Sequence, residues 1–402
     1  MDRSTCDILI SGGGVAGLTA AAAFGTAGFD VLIVDPTPPV TTADDPDADL
    51  RTTAFLQPAQ QFLDRAGIWT GLAPHATALQ VMQITDASGP DGTVRTTAAF
   101  DAADISDAPF GWNLPNWLLR REMMTRLSEL PNVTFLGGVG FAGMVGRTKH
   151  AIAQLTDDQR VTCKLVIGAD GRNSAVRKAA GIDAKTTRYG QKALIFAVTH
   201  DAPHDNVSTE IHRSGGPFTL VPLPDHDGQP CSSVVWMDNG PDITALTKLD
   251  DADFATAATA RSGGMFGDLV PVSRRIAWPI ISQQATSLTG PRTALVAEAA
   301  HVMPPIGAQG LNMSLADLHC LLDLAVASDD LGGAEMLDAY AAARTKDMKL
   351  RVAGVDALNR ASIAGSPILQ DLRVAGIKAI YGAKPIRKQL MALGLGTAAK
   401  QS

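Results

Sequence analysis

Apolar and polar positions along this chain follow two periods, and the change from one to the other marks out its elements. The apolar run Ile8-Leu9-Ile10 within residues 6–11 predicts a buried strand, followed by the glycines at 12–14. Residues 15–28 then read as a small-residue helix ending at Gly28, and Val31-Leu32-Ile33-Val34 as a second buried strand ending at Asp35. Strand, glycine turn, helix and strand make a βαβ beginning. Residues 36–50, rich in Pro, Thr and Asp, predict a surface loop. Residues 51–67 predict a helix carrying Leu56, Phe62 and Leu63 and ending at Gly67.

From 77 to 109, short alternating runs such as Leu79-Gln80-Val81-Met82 predict strands, and residues 116–130 a helix. Residues 133–135, 150–155 and 161–167 predict further strands. So do 193–198, 208–212, 218–223 and 232–237, which Gly, Pro and Asp turns separate. Near 292 the earlier rhythm returns: a strand over 293–297, helices over 310–327 and 334–363, then a mixed helical tail. The expected fold is α/β and discontinuous. A Rossmann-type nucleotide domain is built from residues 1–73, 110–180 and 281–340. A β-sheet domain is inserted as 74–109 and 181–280, and 341–402 form a helical C-terminus.

The 402 residues suffice for two domains. The formal net charge is −7 with no dense Lys/Arg run, which gives a nucleic-acid role no electrostatic basis. Cys6, Cys163, Cys231 and Cys320 show no metal spacing and predict buried thiols in a reducing cytoplasm. No metal site is expected. The opening Met-Asp-Arg-Ser-Thr-Cys-Asp lacks the pattern of a secretory signal. Residues 8–29 carry no charge, but the glycines at 12–14 would break a membrane span, and strand, turn and buried helix explain the stretch better.

The first chemical motif is G-x-G-x-x-G, from Gly12 to Gly17. Gly12 permits a tight turn, Gly14 lets a pyrophosphate approach the backbone, and Gly17 lets helix and strand pack. The helix start at Val15 and Ala16 offers free N–H groups to phosphates. Asp35 can accept hydrogen bonds from a ribose and disfavours a 2′-phosphate; the motif alone does not separate FAD from NAD. In the second motif, the strand Leu165-Val166-Ile167 delivers Asp170-Gly171 to a turn, and Ser174 starts a helix. There Asp170 could be a plain cap or a ligand contact. The third motif runs from Ala297-Glu298 through His301 and Pro304-Pro305 to Gly310-Leu311-Asn312: strand, carboxylate, Pro/Gly loop and helix start.

Together with Arg51-Thr52-Thr53-Ala54 and Phe110-Gly111-Trp112-Asn113, these motifs resemble the group A FAD-dependent aromatic monooxygenases. These have the para-hydroxybenzoate hydroxylase (GR2) fold, and the ubiquinone-biosynthesis hydroxylases resemble this chain most. The resemblance covers nearly the whole chain. It implies FAD as cofactor, NAD(P)H and O2 as co-substrates, and hydroxylation of a phenolic ring through a flavin C4a-hydroperoxide. It implies that Asp35 binds the adenosine ribose, that Arg51 and Asn116 contact FAD, and that Asp170 sits near the pyrophosphate and the NAD(P)H path. Glu298 would bind the ribityl chain, and Gly310, Leu311 and Asn312 would line the isoalloxazine. One departure stands out: Ala297-Glu298 replaces the family's usual Gly-Asp.

No nucleophile motif accompanies His301, which is expected to orient the Pro-Pro loop, and no second G-x-G-x-x-G offers NAD(P)H its own fold. Phe218, Thr219, Leu220 and Pro304 are the expected substrate wall. The tail, residues 377–393, mixes basic and apolar side chains. It is expected either to dock on its own domain or to rest on the inner face of a membrane holding a prenylated substrate. A homodimer or a quinone-synthesis assembly is a further expectation. Rival readings are a reductase or dehydrogenase of the same fold and a non-catalytic flavin-binding subunit.

Overall fold

The apolar run at 8–10 forms β1 (Thr5–Ser11), and β2 (Val31–Asp35) lies parallel beside it. The computed structural model describes residues 4–363 and 365–395. Residues 1–3, 364 and 396–402 of the ranges assigned above lie outside it. Between the strands, α1 (Val15–Thr26) is buried almost all round, which its alanines and glycines allow by letting it sit close to neighbours on every side.

The helix expected over 51–67 is a strand, β3 (Thr52–Leu56), then a helix, α2 (Gln57–Arg65). The β-branched Thr52 and Thr53 suit a strand, and Pro58 fixes where the helix starts. The helices α3 (Trp69–Leu72) and α4 (Asn116–Ser128) flank β4 (Thr77–Leu79), β5 (Val81–Asp86), β6 (Thr96–Asp101) and β7 (Gly111–Pro115). The short β7 pairs antiparallel with β3 and β4 in a small sheet of three strands. A Cβ at Gly111 would stand 2.6 Å from the Phe55 carbonyl oxygen, so this pairing needs glycine there.

The chain continues through β8 (Val133–Gly137), β9 (Phe141–Gly146), β10 (Ala151–Leu155), β11 (Arg160–Gly168) and the short α5 (Ala175–Ala179). Four long strands follow: β12 (Ala184–Thr199), β13 (Val207–His212), β14 (Pro217–His226) and β15 (Gln229–Asn239). Two helices unforeseen in the sequence come next, α6 (Gly240–Leu246) and α7 (Asp251–Ser262). The Asp250 side chain caps the start of α7, and Gly263 at φ 71° ends it. Then come β16 (Val270–Pro271), β17 (Ile276–Ala285), β18 (Thr289–Gly290), β19 (Thr293–Leu295), α8 (Ala297–Ala300) and β20 (His301–Val302). The chain closes with α9 (Gln309–Ala327), α10 (Ala334–Ile363), α11 (Pro367–Gly382) and α12 (Lys384–Leu395).

Two large sheets result. The first runs β18-β19-β11-β1-β2-β8, with β10 and β9 extending from β11. Its central members β19, β11, β1, β2 and β8 are all parallel, so their carboxyl ends share one edge. The second runs β20-β17-β12-β15-β14-β13-β5-β6, with β16 beside β12. Its two faces have separate cores. Leu194, Phe196, Phe218, Leu220 and Trp236 pack with Ile243 and Phe254 of the two unforeseen helices. Ala193, Met237 and Ile280 pack instead with Ile306 and Val355. Among the described residues one helix, Gln309–Ala327, is long and apolar enough to cross a membrane by length and composition. It lies in the core of the first sheet through Leu315, Leu318, Leu321 and Leu322, and its Asp317 is 1% exposed.

Candidate functional site

The three motifs meet at the carboxyl edge of β2, β1, β11 and β19. Gly12 has φ +114°, and a Cβ there would lie 2.4 Å from the Ala169 carbonyl oxygen, so the first and second turns are pressed backbone to backbone. A Cβ at Gly17 would strike the Gly12 oxygen at 1.8 Å. At Gly14 a Cβ would meet nothing within 4 Å. Gly12 and Gly17 are therefore glycine for internal packing, whereas Gly14 faces open space. No side chain caps α1, leaving its first N–H groups around Val15 and Ala16 free to bind an anion. Asp35 closes this end: its carboxylate accepts from the Gly13 N–H and, at 2.7 Å, from Thr37 N.

Asp170 faces inward. Its carboxylate accepts from the Ser174 hydroxyl, from Ala175 N at 2.7 Å and from Val176 N at 3.1 Å. It is the organiser of its turn, as the capping reading has it. The buried Arg177 joins this turn to the third, donating 2.8 Å bonds to the carbonyls of Ala299 and Arg172. Arg172 in turn stands 3.4 Å from the half-exposed Glu298. Ala297 holds φ +54°, in the left-handed region that glycine favours.

Past Glu298 the chain crosses from the first sheet to the second, where His301 pairs with Gln284. His301 Nε2 lies 2.6 Å from Asp317 Oδ2, and Arg344 donates to the other Asp317 oxygen at 2.7 Å. Both His301 and Asp317 are sealed from solvent, so this network anchors the loop that follows. In that loop Pro304 is buried, and Met303 and Ile306 pack against the second sheet. Ala308 at φ +54° starts α9 without a side-chain cap, and a Cβ at Gly310 would meet nothing within 4 Å. A second uncapped helix start thus opens onto the same edge, with Leu311 half-buried behind it. Asn312 does not face a ligand with its amide. It donates to Ala54 O at 2.7 Å and to Ala308 O at 2.6 Å, and accepts from Leu56 N at 2.8 Å, tying α9 to β3.

Arg51 and Asn116 are brought together by a residue the sequence reading passed over. Asp49 accepts from Arg51 Nε at 2.8 Å and Nη2 at 2.7 Å, and from Asn116 Nδ2 at 3.0 Å. Burial alone would raise the Asp49 carboxyl, but the bonds from Arg51 and Asn116 and the charges of Arg51 and Arg120 outweigh it and hold it below the usual range. Burial likewise opposes the charge on Arg51, yet Asp49 and the more distant charge of Glu298 raise its value. Glu298 and Arg51 are therefore within electrostatic reach of each other. The Arg51 guanidinium also lies 4.9 Å from the Trp278 ring centre.

The expected substrate wall is corrected at two positions. Phe218 and Leu220 lie in the core under the unforeseen helices, Phe218 edge-on to Trp236. Alternation along β14 turns Thr219, partly exposed, to the opposite face, where its neighbour Val235 meets Met303 and Ile306. Among the described residues no cluster of His, Cys, Asp and Glu could hold a metal.

This sheet edge suits a dinucleotide: two uncapped helix starts, two glycines that leave space, and the side chains of Asp35, Arg51 and Glu298. A family model described as FAD binding domain matches residues 5–353. Ubiquinone hydroxylase UbiL of Rhodospirillum rubrum is 31% identical over 97% of this chain and 90% of its own length. The 3-demethoxyubiquinol 3-hydroxylase of Escherichia coli is 26% identical over 98% of this chain and 100% of its own. The crystal structure of p-nitrophenol 4-monooxygenase PnpA from Pseudomonas putida has the same fold, with a TM-score of 0.79 at 18% identity over 98% of this chain and 99% of that one.

Proposed function

The chain belongs to the FAD binding domain family, and on that footing we propose that it hydroxylates a phenolic ring with NAD(P)H and O2, as a step of ubiquinone biosynthesis. The observation that carries this reading is the meeting of three sequence-distant turns along one sheet edge, with Gly14 and Gly310 left open where the helices begin. FAD, when bound, supplies the acceptance of hydride from NAD(P)H and the activation of O2.

The chain's own residues bind, orient and shield. We assign the adenosine ribose to Asp35 and the pyrophosphate to the first turn of α1 at Gly14, Val15 and Ala16. Glu298 takes the ribityl hydroxyls and Arg51 the flank of the flavin. The start of α9, at Gly310 and Leu311, points its free N–H groups at the ring, where they favour negative charge. Asn116, Asp170 and Asn312 act one step behind: Asn116 helps hold Asp49 against Arg51, Asp170 holds the turn into α5, and Asn312 holds the start of α9.

The phenol belongs between the loop carrying Met303, Pro304 and Ile306 and the facing side of the second sheet, at Thr219, Val235 and Met237. These walls are largely apolar and exclude water, which protects an oxidising intermediate. The sheets divide the labour: residues 1–73, 110–180 and 281–340 hold the cofactor, and 74–109 and 181–280 the substrate.

A prenylated ring is dissolved in lipid, and the outer surface of the C-terminal helices fits a bilayer. Ile368, Leu369 and Leu372 on α11 are 74, 51 and 62% exposed, and Leu358 on α10 is 58% exposed. Over 367–395 Asp371 is the single acid; Arg373 and Arg387 turn inward to Asp86 and Asp104, which leaves Lys378, Lys384 and Lys388 as the basic side chains of the outer surface. We assign this face to an anionic membrane surface. The test of the main reading is the visible spectrum of the purified protein, then anaerobic NAD(P)H with and without candidate phenols. A bound flavin that bleaches faster when the right phenol is present is the expected result; a colourless protein that takes up no FAD would end the proposal.

A further inference from the structure

The face of the second sheet that meets the Met303–Ile306 side carries one carboxylate with open coordination. Along β13, Ile211 points into the core with Phe218 and Trp236, so Glu210 and His212 on either side of it point the other way. Glu210 pairs in register with Thr219, and Thr219 with Val235. Val235 packs on the cluster that includes Ile306 and Met237, as Met303 does. Glu210 therefore shares its face with the residues that line the expected ring site.

His212 Nε2 lies 2.7 Å from Glu210 Oε1, with the two side chains 11% and 16% exposed. His212 Nδ1 is buried without a partner. Among the described residues nothing else bonds the Glu210 carboxylate. Its charged neighbours on this face bond other groups, with Arg373 Nη2 left buried without a partner. Asp86 of β5 takes Arg373 from α11 at 2.6 Å. Asp356 and Arg360 of α10 bond each other and, through Asp356, the Tyr189 hydroxyl. An acid held by a single imidazole, with its second oxygen unused, beside an apolar wall, is built to receive one more donor.

We propose that Glu210 is a catalytic residue that accepts the phenolic O–H of the substrate, and that His212 is a positioning residue holding it there. This rests on the hydroxylase reading above. In the bound state the hydrogen bond pushes electron density into the ring. As a ring carbon gives its electron pair to the incoming electrophilic oxygen, the phenolic O–H bond breaks and its proton passes to Glu210. The O–H electron pair stays on the ring oxygen, which becomes the carbonyl of a dienone. The dienone then loses the proton from the hydroxylated carbon to water, the C–H electron pair restoring the aromatic ring, and its carbonyl oxygen recovers a proton from Glu210, giving the diol and the original carboxylate. No further oxidant or reductant is needed for these proton steps.

The test uses the full-length, FAD-loaded protein and two commercial probes, 2-methoxy-4-allylphenol and its methyl ether, which differ only in the O–H. Binding is read by titration calorimetry without turnover. The wild type should prefer the phenol, and Glu210→Gln, which keeps the shape and the contact to His212, should lose about tenfold of that preference. In turnover the same variant should lower the ratio of product to NAD(P)H consumed far more than it changes KM, with flavin content and melting unchanged. If Glu210→Gln folds poorly, His212→Gln removes only the anchor and should show a smaller loss in the same direction. A wild type that does not discriminate the phenol from its ether, or a variant that discriminates as well and stays as tightly coupled, overturns the proposal. Failure of the hydroxylase reading looks different: the wild type then shows no NAD(P)H-driven bleaching, whatever its binding preference.

Discussion

Arg172 Nε stands 3.4 Å from Glu298 Oε2, joining turns that lie 126 residues apart in sequence. The pair is only half-buried, so its own contribution to stability is small. Its meaning is geometric: two motifs written far apart are neighbours across one groove.

The glycines of the first turn make opposite predictions. Gly17→Ala forces a Cβ to 1.8 Å from a backbone oxygen and should leave little folded protein. Gly14→Val places its side chain where nothing lies within 4 Å, in the space proposed above for the pyrophosphate. It should fold with a melting curve like that of the wild-type apoprotein yet retain no FAD. Melting and flavin absorbance on the two variants check this together; a Gly14→Val protein that stays yellow would place the pyrophosphate elsewhere.

Ala297 occupies a left-handed backbone conformation, which costs an L-residue roughly 1–2 kcal/mol. Glycine removes that strain but loses about 0.4–1 kcal/mol through a freer unfolded chain. Ala297→Gly should therefore stabilise the protein by about 0.5–1 kcal/mol and raise its thermal midpoint. A lower midpoint in scanning calorimetry would mean the alanine methyl makes contacts that outweigh the strain.

Asp49 links Arg51 and Asn116, and its pKa is lowered in the fold. A carboxyl with a lowered folded value contributes stability above its unfolded value, near 3.8, and loses that contribution as pH falls through the lower folded value. Asp49→Asn should thus cost about 2–3 kcal/mol in urea unfolding at pH 7. The gap from wild type should persist down to pH about 4 and narrow only below that. A gap that does not change across this range would remove the charge of Asp49 from the account.

The exposed apolar residues of α11 make a prediction about vesicles. Replacing Ile368, Leu369 and Leu372 by serine should abolish flotation with anionic liposomes and leave flavin content intact. Wild-type flotation should weaken with salt and with neutral lipid. Equal flotation of wild type and variant would return this face to some other role.

Much of this arrangement is written locally. The strands at 8–10 and 31–34 are apolar on both faces because both faces are buried, α1 lying against one of them, and three glycines in a row leave no other turn to propose. Other parts depend on partners far away. Thr52–Leu56 is a strand because Gly111–Pro115 lies beside it, and nothing within residues 51–67 announces that. Phe218 and Thr219 show that neighbours on one strand can belong to opposite faces that the sequence does not distinguish. Both faces of β14 are partly apolar, and only α6 and α7, hidden in an Ala- and Thr-rich stretch, decide that Phe218 belongs to the outer core. Asp49 sits in a loop with no periodicity at all, so its pairing with Arg51 and Asn116 becomes visible only in three dimensions.

The central claim is that this groove holds FAD to put an oxygen atom on a phenolic ring. The most direct test supplies heavy-isotope O2 to the flavin-loaded protein with NAD(P)H and a prenylated phenol, and weighs the product. The account predicts one labelled oxygen atom on the ring for each NAD(P)H oxidised in the coupled reaction. Flavin reduced and reoxidised with peroxide as the only product, and no label on any phenol offered, would contradict it.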